Sequence, residues 1–166
     1  MNKWMVRVIA VVTGIACLLA LALTAVQLDA FDRGRYSAAY QQYGRAEAIG
    51  ISEDDLMAVT DRLLDYLKGQ SDTLEMEASI QGVIQPVFGE RELLHMADVQ
   101  RLFMAGFAIR RWSVNIAACG IVLLLATQKK RAFYMLAWGY LAALGCFLLF
   151  AAVVGIAMAG NFNQAF

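Results

Sequence analysis

The stretch Val8–Leu28, VIAVVTGIACLLALALTAVQL, has Thr13, Thr24 and Gln27 as its only polar side chains. As a helix rising about 1.5 Å per residue, roughly 21 such residues cross the ~30 Å hydrocarbon layer of a membrane. Lys3 and Arg7 precede it, a positive start that a cleaved signal peptide shares. That competing reading lacks a small-x-small cleavage site after the run. The lipoprotein-like box Gly14-Ile15-Ala16-Cys17 also lacks the leucine expected three residues before the cysteine. The segment is therefore predicted to remain as a transmembrane helix over residues 4–28.

Working outward, two more apolar runs come late in the chain. Trp112–Thr127, extended backwards by Phe103–Ile109, predicts a second span over 109–128, and Ala132–Gly160 predicts a third over 132–160. The basic turn Gln128-Lys129-Lys130-Arg131 separates them. Gly139, Gly145, Gly155 and Gly160 are expected to let the third helix approach its neighbours closely. With 60% hydrophobic residues, a single proline and a mean hydropathy of +0.56, the whole chain lies outside the usual soluble range. Cys17, Cys119 and Cys146 all fall inside apolar runs and are read as inert small hydrophobes.

Net charge is zero, but its placement is uneven. All 14 acidic residues lie between Asp29 and Asp98, and residues 29–111 carry a net charge of −5. The remaining basic residues are Lys3, Arg7, Lys129, Lys130 and Arg131. No basic surface is left for nucleic acid. Short positive segments stay cytoplasmic, so the N-terminus and the 129–131 turn are predicted inside, and the region 29–108 outside as an extracellular cap. Arg110 and Arg111 oppose the rule, but they flank a whole outer region, where charge counts for less. The expected fold is an all-α membrane protein, with three visible transmembrane helices and a mainly helical cap between the first and second.

Within the cap, Tyr36, Tyr40 and Tyr43 recur at helical spacing just beyond the first span. They suit an interfacial aromatic belt or, alternatively, the wall of a pocket. Ser52, with Asp55 three residues on, starts an amphipathic helix whose Leu56, Val59, Leu63 and Leu67 share a face, and Gly69 ends it. Residues 71–89, with Ile80, Val83, Ile84, Pro86 and Val87, suggest short extended pieces or a turn.

The chemistry centres on His95, the sole histidine. Read as a helix from Glu90, the sequence puts Glu92, His95, Val99 and Leu102 on one side, expected to face the interior. Glu92, one turn away, could hold one ring nitrogen and leave the other free for general acid–base work. A histidine that merely caps or pairs at a helix–membrane boundary is the plainer alternative. Glu-x-x-His is also a ligand spacing in helical carboxylate sites, but one histidine leaves too few partners, and no metal is expected. His-Glu-x-x-His, Gly-x-Ser-x-Gly and a phosphate-cradling glycine loop are all absent from the sequence.

The residues Phe88-Gly89-Glu90-Arg91-Glu92-Leu93-Leu94-His95-Met96-Ala97-Asp98-Val99, with the earlier Leu63-Leu64-Asp65-Tyr66-Leu67-Lys68-Gly69, resemble the bacterial lipoprotein intramolecular transacylase family. The likeness extends to the layout over nearly the whole chain. It implies a cofactor-free acyl shift at the outer face of the bacterial cytoplasmic membrane. The sn-2 acyl chain of a diacylated lipoprotein would move to the amino group of that protein's N-terminal cysteine, giving the lyso-form lipoprotein. His95 would take a proton from the α-ammonium, whose reference pKa is about 8, and Glu92 would orient the ring. Asp98 or Arg101 would position the peptide or ester, and Tyr36, Tyr40, Tyr66 and Trp112 would wall a substrate pocket among membrane lipid.

One departure stands out. The family has a second histidine, on a Phe-His motif soon after the third span, and then a fourth transmembrane helix. Here residues 161–166, Asn-Phe-Asn-Gln-Ala-Phe, resemble the outer approach to that motif and end before it, so the sequence is read as a fragment of a longer enzyme in preference to a degenerate relative. From a different class, the chain could be a non-catalytic membrane protein whose cap binds lipid or lipoprotein.

Overall fold

The computed structural model describes residues 2–162. About 81% of the chain is helical. The elements run α1 (Lys3–Ala30), α2 (Arg33–Gln42), α3 (Arg45–Ile49), α4 (Glu53–Leu67), β1 (Glu77–Ile80), β2 (Val83–Pro86), α5 (Glu90–Gln128) and α6 (Ala132–Phe162), with one 3₁₀ turn at Lys129–Arg131 before α6. Two stretches are long and apolar enough to cross a membrane, Lys3–Ala30 and Glu90–Ile156, and the 3₁₀ turn lies inside the second. Of the residues 161–166 expected to open a further C-terminal part, 163–166 lie outside the described residues.

The chain forms two compact units, one reaching to Thr24 and resuming at Ile109, the other comprising Ala25–Ala108. In the apolar unit, α1, α5 and α6 pack through small side chains. Ala10, Leu124 and Ala132 are completely buried with Val6. A methyl group on Gly139 would strike the Ala10 carbonyl, and one on Gly120 would strike Thr13, whose hydroxyl donates to the Ile9 carbonyl at 2.7 Å. Such contacts bring helix backbones together beside the Val6–Leu124 cluster, against which Ile9, Met135 and Leu136 pack. Gly145 and Gly155, expected to do the same, meet nothing within 4 Å. Only part of the glycine pattern on α6 therefore marks a contact.

The polar unit is built differently. Ser52 caps α4, its hydroxyl accepting from the Asp55 amide at 3.0 Å. At the other end Gly69 (φ +71) donates to the Tyr66 carbonyl while Gln70 donates to that of Asp65, the paired bonds of a Schellman ending. Leu56, Val59, Thr60, Leu64, Tyr66 and Leu67 are the buried side of α4. The 71–89 region contains an antiparallel hairpin, β1 with β2, turning at Gln81 and Gly82, both at positive φ. The Gln81 amide donates to the Gly50 carbonyl at 2.7 Å, which ties the hairpin tip to the loop before α4.

Two apolar clusters fill this unit. Ala46, Ile51, Leu56, Val59 and Ala78 form one; Tyr66, Leu67 and Leu74 form the other. Phe88 packs against both. Phe31, Phe103 and Phe107 meet edge-on or tilted beside the second cluster with centroids 5.4–6.2 Å apart, and the Lys68 ammonium sits 5.2 Å over the Phe31 ring.

Candidate functional site

α5 begins at Glu90, directly after Phe88 and Gly89, and its first two turns carry the ionisable residues of interest. Glu92 turns back so that its carboxylate accepts from the Gly89 amide at 2.8 Å. This is the carboxylate half of a capping box: a helix start leaves amides without partners, and the third residue of the helix is placed to reach one. The expected Glu92–His95 hydrogen bond is not found among the described residues, because the free amide at the helix start takes the carboxylate instead.

The inward stripe also differs from the expected one. Leu93, Met96, Val99 and Phe103 pack against the Tyr66–Leu67–Leu74 cluster. Gln100 joins them by donating from Nε2 to the Tyr66 carbonyl at 2.7 Å. Glu92 and His95 are exposed, and Leu102 is 72% exposed. Of the expected inward set, Val99 alone faces the packed side. The reason is that adjacent apolar pairs, Leu93 with Leu94 and Leu102 with Phe103, support two stripes displaced by one residue. The neighbours on α4 and the loop after it select the one with Leu93 and Phe103.

His95 is nevertheless beside a cavity. An open groove of about 420 Å³ is lined by Phe88, Arg91, Glu92, His95 and Met96. Phe88 and Met96, half-buried against the Tyr66–Leu67–Leu74 cluster, give the groove an apolar side, and Arg91, Glu92 and His95 complete a lining that is mostly apolar. A second groove of about 390 Å³ shares Phe88 and adds Glu75, Glu77, Glu90 and Leu93. Among the described residues no cluster of three or more potential metal ligands occurs.

The other sequence candidates are placed elsewhere. Arg101 pairs with Asp98 at 3.1 Å on an exposed face of α5, and neither lines the His95 groove. Tyr36 donates to the Ala30 carbonyl at 2.9 Å. The Tyr40 hydroxyl bonds that of Thr60 at 2.8 Å, and Tyr66 is buried under α5. These tyrosines serve packing rather than the groove wall. Trp112 is 69% exposed and belongs to the apolar unit. The groove also takes in Phe88, Arg91 and Met96, which the sequence alone does not single out as site candidates. Arg91 and Met96 stand one turn before and one residue after His95, and Phe88 leads into the helix, so proximity in sequence was the signal available.

A family model described as lipoprotein intramolecular transacylase matches residues 11–166. No curated protein and no solved structure matches the chain.

Proposed function

The chain belongs to the lipoprotein intramolecular transacylase family, and from that premise we propose that it moves the sn-2 acyl chain of a diacylated lipoprotein onto the amino group of the same molecule's N-terminal cysteine. The observation that carries the proposal is the groove at the start of α5, where the sole histidine is exposed beside an apolar side formed by Phe88 and Met96. Donor ester and acceptor amine share one substrate molecule, so catalysis needs the two held together and a proton moved. His95 accepts the amine proton as the N–C bond forms. The bond from the acyl carbon to the glyceryl oxygen breaks, and the proton returns from the imidazolium to that oxygen. Glu92 supports this indirectly, by fixing the first turn of the helix that carries the ring.

In this proposal α1, residues 109–128 of α5 and residues 132–160 of α6 cross the bacterial cytoplasmic membrane. The basic turn Lys129–Arg131 lies inside and residues 29–108 outside, in keeping with the placement of positive charge. The lyso-form lipoprotein is the product.

A synthetic lipopeptide bearing an S-diacylglyceryl cysteine, incubated with the chain in mixed micelles, tests the activity. Mass spectrometry of its fragments is expected to show an acyl group on nitrogen. His95→Ala should reduce conversion by a factor of about 10² or more while thermal melting stays unchanged. Full activity in His95→Ala would remove the ring from the mechanism. The alternative, a cap that binds lipid or lipoprotein without turnover, is favoured by the engagement of Glu92 with Gly89 rather than with the imidazole. Binding of the lipopeptide with no acyl migration would select it.

A further inference from the structure

We propose that Arg91 is the group that holds the ester carbonyl oxygen while negative charge builds on it. The assignment rests on the transacylase proposal and adds a catalytic residue to it. Arg91 lines the same groove as His95. The two are four positions apart on α5, so their Cβ atoms are neighbours at about 5–6 Å.

Three cations of the polar unit, Arg45, Arg62 and Arg91, have no ion pair among the described residues, and of these three Arg91 alone lines the His95 groove. Arg33 pairs with Asp61, Arg35 with Asp29 and Asp32, Lys68 with Asp65 and Arg101 with Asp98. Arg91 has no ion pair among the described residues, although Glu90 and Glu92 flank it in sequence. Glu92, the carboxylate that lines the groove with it, gives its Oε2 to the Gly89 amide. Arg91 is exposed, has no carboxylate partner, and lines the groove one turn from His95, so its guanidinium is free to meet an oxygen that gains charge only during reaction. Arg101, the candidate that sequence alone suggested for the ester, is occupied by Asp98 and lies outside the groove.

The step balances within one substrate. The amine nitrogen attacks the acyl carbon, and the carbonyl π pair moves onto oxygen, where Arg91 donates to it. The pair returns as the bond from the acyl carbon to the glyceryl oxygen breaks, and the proton taken by His95 passes to the departing oxygen. Stabilisation of this kind acts on the transition state more than on the bound substrate.

The experiment compares the full wild-type chain with Arg91→Gln, Arg91→Lys and Arg91→Ala. The diacylglyceryl lipopeptide is used for turnover, and its sn-2 ether analogue, which cannot react, for binding. Arg91→Gln is expected to lose a factor of about 10² in kcat, the cost of removing one such donor, with ether binding and melting temperature unchanged. Arg91→Lys should recover part of the rate, and added guanidinium should partly rescue Arg91→Ala. Wild-type turnover together with an undiminished Arg91→Gln overturns this assignment alone. So does a loss of rate matched by lost ether binding or by lost melting without guanidinium rescue. A lipopeptide left unchanged by the wild-type chain overturns the transacylase proposal, and the assignment with it.

Discussion

The two units of this chain bury opposite kinds of side chain. In the polar unit the interior is large and the surface charged: Leu64 and Leu74 are 2% exposed, while arginines and aspartates pair on the outside. In the apolar unit the interior is mostly small, with Ala10, Thr13, Gly14, Ala117, Gly139 and Ala143 inward around Val6 and Leu124, and Leu21, Phe133, Leu149 and Ile156 outward. In water, large apolar groups go inside because burial removes them from the solvent. Lipid offers no such gain, so helices there associate by close backbone approach, and bulk goes outward. The difference teaches where each unit is vulnerable: one to lost volume, the other to added volume.

Gly139→Val is the strongest challenge to that contrast. Its branched side chain has no room against Ala10 and should destabilise the apolar unit by about 3 kcal/mol or more. Thermal melting in detergent checks it, with Gly145→Val, at an open position, as the near-neutral control. An equal loss in both would mean that α6 is not held through Gly139. Next in size, Phe88→Ala removes the ring shared by both apolar clusters of the polar unit and by the His95 groove. A loss of about 2–3 kcal/mol is expected, together with reduced turnover, since the groove loses its apolar side. Lost stability with unchanged turnover would detach the groove from the chemistry. The smallest effect belongs to Ser52→Ala, which removes the α4 cap at a cost of about 1 kcal/mol. That loss should appear in denaturant unfolding of the polar unit and leave the lipopeptide rate unaltered.

How far the sequence could be read varied with the kind of signal. Ser52 and Gly69 bounded α4 correctly because a cap and a left-handed ending depend on a few adjacent residues. Residues 71–89 were legible only as extended pieces. Their pairing as a hairpin depends on Gln81 and Gly82 adopting positive φ together, and on the Gln81–Gly50 bond across some thirty positions of sequence. His95 stood out as the lone imidazole, and Glu92 as its neighbour on the helix. Their expected bond failed because spacing shows which groups are within reach, not which partner wins. A free backbone amide at the start of α5 competes for the carboxylate, and the structure gives Glu92 to it.

Composition and order alone determined the helical class, the apolar stretches long enough for a membrane, the family and the histidine. Each of these is a property of a local run of residues or of a matching pattern. Only the tertiary structure decided which of two stripes on α5 turns inward, that Phe88, Arg91 and Met96 share a groove with His95, and that the tyrosines and Arg101 are occupied elsewhere. Those outcomes depend on the partners that α4, the hairpin and the phenylalanine cluster bring to each side chain, and periodicity along a single helix does not specify partners.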